Sequence, residues 1–423
     1  MTIWFQSVAR YFLAVPELLM RLSFVSLICV VVAARAAALP GFRTQLVSST
    51  TGFSDSIAID SRGTIYYTTQ DGNLWRFSDG KSEIVTHVNT VAIGNSGLLG
   101  LGLRNDNTAI IHYTTPGQTS DVVSSIDLTT GAETIIHSFD ADIEDPGAPS
   151  SPEHHGGNPI VAPDGSIFVG LGDFFGSFMA PLPQWNGGKI FRIFPDGSVQ
   201  QFARGFRNPF DLSWDDANQR LIVPDNGEAA DDEINIIHLG DFAGWPYTAG
   251  NAPSVDGSIA PIYVFPTVVA PTGLTALSHH NSYFPTGYLL AAFVTRAIYY
   301  IPNIDARPFP DPIPVIAGIT DPIIDVAESP SGDIFFVTGK AIYQLIPPLR
   351  GDCNGDGVVD GADVAALAQE LQDVNPQPAT NAQNGAYAGS WGCDVNGDGV
   401  IDSRDMMALV FDLIHRTRAV HGH

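Results

Sequence analysis

The chain holds 423 residues, 42 of them Gly and 30 Pro, with 44% hydrophobic side chains; that suffices for more than one domain and is turn-rich in the manner of all-β folds. Lys and Arg total 20 against 45 Asp and Glu, a formal charge of −25, which repels phosphate backbones and anionic membranes and argues against a nucleic-acid partner. The same acidity suits calcium binding and solubility outside the cell.

The first element is "MRLSFVSLICVVVAARAAALPGF", residues 20 to 42. An arginine, an apolar run from Leu22 to Ala34 and small residues around Arg35 to Ala38 are the layout of a secretory signal peptide with an Ala-x-Ala type cleavage site. The run is shorter than the roughly 18 residues that span a bilayer, so no transmembrane segment is expected after cleavage. Met1 and Met20 are both open as the start. The expected division is a signal peptide over 1–38, a body over 39–349 and a tail over 350–418. Of the three cysteines, Cys29 lies in the signal; Cys353 and Cys393 most simply pair in an oxidising compartment.

The body repeats. "DSRGTIYYTT" from Asp60, "APDGSIFVGLG" from Ala162 and "SPSGDIFFVT" from Ser329 each put a tight glycine turn before an aromatic, β-branched strand. Second strands follow in "GNLWRFSDG", "GKIFRIFPDG" and "GKAIYQLIP". Turn, strand, turn, strand at this spacing predicts an all-β six-bladed β-propeller, at about 40 to 50 residues per blade. Function then belongs to polar loop residues around the central channel.

Four loop clusters stand out: "GNSGLLGLGL" from Gly94, Glu153-His154-His155-Gly156-Gly157, "GFRNPFDL" from Gly205, and "DNGEAADDEINIIHLGDFAGWP" from Asp225. In this order they resemble the soluble glucose/sorbosone dehydrogenases, six-bladed propellers that oxidise aldoses with pyrroloquinoline quinone (PQQ) and calcium. The resemblance implies His154 as general base on the sugar C1 hydroxyl, with Glu153 orienting it. It implies Arg207 and Asn208 against the quinone, the arginine stabilising charge as hydride arrives. Asn95 stands where a glutamine often faces the cofactor, and Arg296 matches a late-blade arginine that grips a PQQ carboxylate. Gly227 and Glu228 stand at the carbonyls that bind the quinone-site calcium, where the family usually has Gly-Pro, and Glu233 matches a carboxylate at a structural calcium site. His279 and His280 stand where better-known relatives place a lysine. Beside the resemblance, the chemistry is coherent. Removing a hydroxyl proton as hydride leaves the same carbon needs a base of near-neutral pKa, and a quinone with three carboxylates wants arginine forks and a divalent cation. His155 is expected to the side, and Trp245 and Pro246 as core and turn.

After "IPPLR" the composition changes. "DCNGDGVVDGAD" from Asp352 and "DVNGDGVIDSRD" from Asp394 are two twelve-residue calcium loops. Oxygen ligands fall at positions 1, 3, 5, 9 and 12: Asp352, Asn354, Asp356, Asp360 and Asp363, then Asp394, Asn396, Asp398, Asp402 and Asp405. Val358 and Val400 offer the position-7 carbonyls. Each loop leads into an amphipathic helix, and the duplicated loop-helix resembles a dockerin type I pair, which implies a cohesin-type partner. Loop positions 10 and 11, Gly361-Ala362 and Ser403-Arg404, differ between the copies. The reading is a secreted sugar dehydrogenase with a calcium-binding tail; a non-catalytic saccharide- or protein-binding propeller is the alternative, and a lactonase-type metal centre a third.

Overall fold

The computed structural model describes residues 42–141, 153–255, 257–278, 283–284, 286–373, 377–378 and 391–420. The expected signal peptide, both candidate start residues, and His279 and His280 lie outside them. Among the described residues, no helix is long and apolar enough to cross a membrane.

Six antiparallel four-stranded sheets form the six blades of the propeller. Their inner strands, in chain order, are Ser54–Ile59, Leu98–Asn105, Ile160–Val161, Ser213–Asp215, Pro271–Ala276 and Ile323–Glu328. The repeated phrases build one recurring corner. Gly63, Gly165 and Gly332 take φ of +84°, +85° and +86°, and their N–H groups donate to Asp60, Ala162 and Ser329 carbonyls at 2.9–3.0 Å. Only glycine adopts that backbone without strain. The strands that follow, Ile65–Thr69, Ile167–Leu171 and Ile334–Thr338, are buried nearly throughout, which explains their unbroken runs of β-branched and aromatic residues.

The ring closes by pairing of the propeller's first and last strands. Arg43–Ser49 pairs antiparallel with Ala341–Ile346 as the outer strand of blade six. All six blades then meet in a polar knot on the channel axis. Asp325 Oδ2 accepts from the Ser56 hydroxyl (3.0 Å), Ile57 N–H (2.9 Å) and Asn158 Nδ2 (3.1 Å). Asn158 Oδ1 accepts from Leu101 N–H (3.2 Å), and Asp211 Oδ2 from Leu274 N–H (2.6 Å). Burial pushes Asp325 up to about 6 and, with the Asp325 charge beside it, Asp211 well above the usual carboxylate range.

Behind the propeller stand two helices, α1 (Gly361–Asp373) and α2 (Ser403–Val420). Cys353 and Cys393 form the expected disulfide, Cα–Cα 4.6 Å. The tail is not an appendage on a string: Cys353, Leu367, Ile401 and Leu409 share one hydrophobic core with Phe284, Tyr300 and Phe336 of the last two blades.

Candidate functional site

Loops joining outer to inner strands, and second to third strands, gather at one end of the channel. His154 sits in the loop entering blade three with φ of +59°, a strained backbone for a residue with a Cβ. The following glycines explain the motif: a Cβ on Gly157 would run into the carbonyl of Phe210, so the loop lies flat against its neighbour.

His154 Nδ1 is 2.6 Å from Asp173 Oδ1, which leaves Nε2 for a substrate. The carboxylate bonded to His154 is Asp173, just past the end of the blade-three strand Ile167–Leu171, where the resemblance had pointed to Glu153. Asp173 is itself fixed: its Oδ2 accepts from Trp245 Nε1 at 2.9 Å, and its N–H donates to the Arg207 carbonyl at 2.8 Å. Trp245, expected as core, is thus part of the site. Its ring also lies under the Arg207 guanidinium, 5.8 Å to the centroid. The imidazole and the guanidinium converge through one carboxylate and one indole.

Asp225 holds the Arg-Asn pair, its oxygens accepting from Arg207 N–H at 2.9 Å and Asn208 N–H at 2.7 Å. The Arg207 guanidinium donates to the carbonyls of Asn226 (3.2 Å) and Gly227 (2.7 Å), so the Gly227 carbonyl that the resemblance gives to calcium already carries a cation. Glu228 is exposed. Glu233 is buried and accepts from Asn235 Nδ2 at 3.0 Å and Gly250 N–H at 2.8 Å; it staples the long connection that delivers Trp245. His155 turns away, its Nδ1 3.0 Å from Asp121.

Beside these groups lies a cavity of about 270 Å³. Phe53, Leu99, Phe210, Phe293 and Ile324 wall it, and Gln70, Asn95, Asn208, Asn226 and Thr272 give it polar edges. Apolar faces with amide edges fit a flat tricyclic ring system. Among the described residues the one ionisable lining residue is Asp55, buried, with an Oδ2 that has no hydrogen-bond partner. Burial raises this carboxyl well above the usual range. Neither expected cation is among the lining residues: Arg207 precedes Asn208 in the chain, and exposed Arg296 lies in the turn that carries Phe293. Sequence reading missed Asp55, Gln70 and Asp173; none belongs to a recognisable motif.

In the tail the two twelve-residue loops repeat the hydrogen bonds of their last aspartate. Asp363 Oδ1 and Oδ2 accept from Asn354 and Asp360 N–H at 3.1 and 2.8 Å, and Asp405 does the same from Asn396 and Asp402 at 3.1 and 2.8 Å.

Comparison with known proteins gives the families of the two parts. The family model of glucose/sorbosone dehydrogenase matches residues 55–346, and that of the dockerin type I domain matches 350–413. Quinoprotein glucose dehydrogenase B of Acinetobacter calcoaceticus is 30% identical over 135 residues, 25% of this chain and 28% of its own length. An uncharacterized Synechocystis protein is 24% identical over 230 residues, 46% of this chain. The chain thus spans about half the length of one curated relative (55%) and about a quarter of the other (28%). Among solved structures, the PQQ-bound aldose sugar dehydrogenase of Streptomyces coelicolor superposes with a TM-score of 0.62 at 22% identity, covering 73% of this chain and 99% of that one. The soluble aldose sugar dehydrogenase of Escherichia coli gives 0.60 at 17%, covering 72% and 99%. At these identities the likeness is one of fold.

Proposed function

The chain belongs to the glucose/sorbosone dehydrogenase family and carries a dockerin type I domain, and from that premise we propose that it oxidises a sugar at C1 with PQQ as cofactor. The observation that carries the reading is the linked set His154–Asp173–Trp245–Arg207. His154 Nε2 takes the C1 hydroxyl proton, and Asp173 stabilises the imidazolium that results and fixes its tautomer. Trp245 keeps Asp173 pointed at the ring. Arg207, fixed by two carbonyls, keeps a positive charge beside the reacting centre. Asn95, Asn208, Gln70, Arg207 and Arg296 would hold the cofactor, while the Gly227 carbonyl, engaged by Arg207, does not fit the calcium expected there; when bound, the quinone supplies a two-electron acceptor for hydride. The test is reconstitution with PQQ and calcium, then dye reduction across an aldose panel. Turnover that disappears in His154→Ala, with the melting temperature unchanged, supports the reading. No turnover by the wild type on any aldose overturns it in favour of a binding propeller.

The tail reading is that both loops bind calcium and that the module docks a cohesin-type protein outside the cell. The buried disulfide suits an oxidising compartment. A surface asymmetry supports docking through α2: it exposes Met407, Val410, Phe411 and Ile414, where α1 exposes Ala365, Gln369 and Gln372.

A further inference from the structure

The loop from Gly172 to Gly188, between the second and third strands of blade three, exposes two aromatic rings beside the base. Phe175 is 66% exposed and Phe178 49%. Phe174 and Phe175 both adopt left-handed backbone, φ +51° and +63°. Phe174 turns in against His155 and Phe175 turns out against His154, each at 5.2 Å between ring centroids. Two consecutive left-handed phenylalanines need a cause, and the hydrogen bonds give one. Phe175 N–H donates to Asp173 Oδ1 at 3.0 Å, the same oxygen that holds His154 Nδ1 at 2.6 Å. One carboxylate oxygen therefore sets both the base and the ring next to it.

The loop is also clamped at its feet. Lys189 is fully buried, and its ammonium donates to the carbonyls of Met179, Ala180 and Gly187 at 2.7, 3.0 and 2.7 Å. Gly188 N–H closes the base of the loop on the Gly172 carbonyl at 2.9 Å. A rigid loop that spends this much bonding to hold bare phenyl rings in water marks a recognition surface. Across the site Tyr247, two residues past Trp245, is 65% exposed.

We propose that Phe175 and Phe178 form an aromatic ledge for a neutral oligosaccharide. The apolar C–H face of the terminal ring lies on Phe175, and the next ring on Phe178. More aromatic surface is exposed than a single pyranose covers, hence a chain. The ligand is neutral because Asp173 is the loop's one charged side chain and the protein carries −25 overall, which repels uronates. That the terminal ring presents C1 to His154 rests on the dehydrogenase reading; the binding does not.

The test uses the full chain without cofactor, titrated by calorimetry with glucose and its β-1,4- and α-1,4-linked oligomers of two to five units. The expected result is affinity at least about tenfold higher for a trimer of one series than for glucose. Phe175→Ala loses that affinity and Phe175→Trp keeps it, while Phe178→Ala removes only the gain from added rings; equal melting temperatures establish folding. Affinity independent of chain length, no binding in either series, or an unaffected Phe175→Ala overturns the ledge. Chain-length-dependent binding without turnover in the loaded enzyme removes the dehydrogenase reading alone, and turnover without such binding removes the ledge alone.

Discussion

The proton on His154 is governed by one carboxylate with three donors on it: Trp245 Nε1, Phe175 N–H and the imidazole. An amide cannot replace it. Turned either way, Asp173→Asn sets its NH₂ against at least one obligate N–H donor, and satisfying Trp245 puts nitrogen against Nδ1, which moves the imidazole proton to Nε2. We expect Asp173→Asn to lower kcat by about 10²–10⁴-fold and, through the unpaired donor, to lower stability by about 1–3 kcal/mol; steady-state dye reduction and denaturant unfolding measure the two. Asp55 is the opposite case, a buried carboxyl whose Oδ2 lacks a partner. Its folded pKa is raised above the ordinary 3.8, so the folded state holds its proton longer, and stability falls as pH rises from about 4 toward the folded value. Asp55→Asn should therefore stabilise the protein at pH 7, by roughly 1–3 kcal/mol, and leave it nearly unchanged at about pH 2.5, where both states are protonated; denaturant unfolding at the two pH values checks this. A gain at both would point to packing instead of charge. His154, Arg207 and Asn208 could be proposed from sequence because they sit in motifs with glycine or proline neighbours. Asp173 could not, since its tie to His154 spans 19 residues and its tie to Trp245 spans 72, separations that only folding closes.

The tail loops show how far an element follows from its own sequence. Twelve residues supply the turn glycine, the oxygen ladder and the helix start, so both copies fold alike with nearly equal distances. One of their differences is a charged side chain. Arg404 pairs with Asp398 at 2.9 Å and Asp402 at 2.7 Å, the position-5 and position-9 oxygens of the second loop, whereas the first loop has Ala362 there. A guanidinium on two ligand carboxylates competes with an incoming cation. Calcium titration by calorimetry should thus resolve a tighter first site and a weaker second. Arg404→Ala should tighten the second by roughly 2–5-fold, the range of exposed ion pairs. Unchanged affinity would mean that the arginine swings aside at no cost.

At the scale of the molecule, the propeller is closed twice, by Arg43–Ser49 on the rim and by the six-blade knot on the axis, and the tail is sealed to blades five and six by a common core. Calcium should therefore move more than the tail. In scanning calorimetry with near-ultraviolet dichroism reporting the propeller aromatics, chelator should lower the propeller transition together with the tail's, by several degrees. Two transitions, with only the smaller one responding, would mean the shared core contributes little. Period and turn glycines determined the blades and the repeated twelve-residue loops from sequence alone, because each rests on contacts within a few residues, where chain connectivity already sets the geometry. Which carboxylate serves His154, why Trp245 belongs to the site, and that the tail shares the propeller's core were decided only by the tertiary structure. Those contacts join different blades and distant loops, and circular closure alone fixes which of them meet.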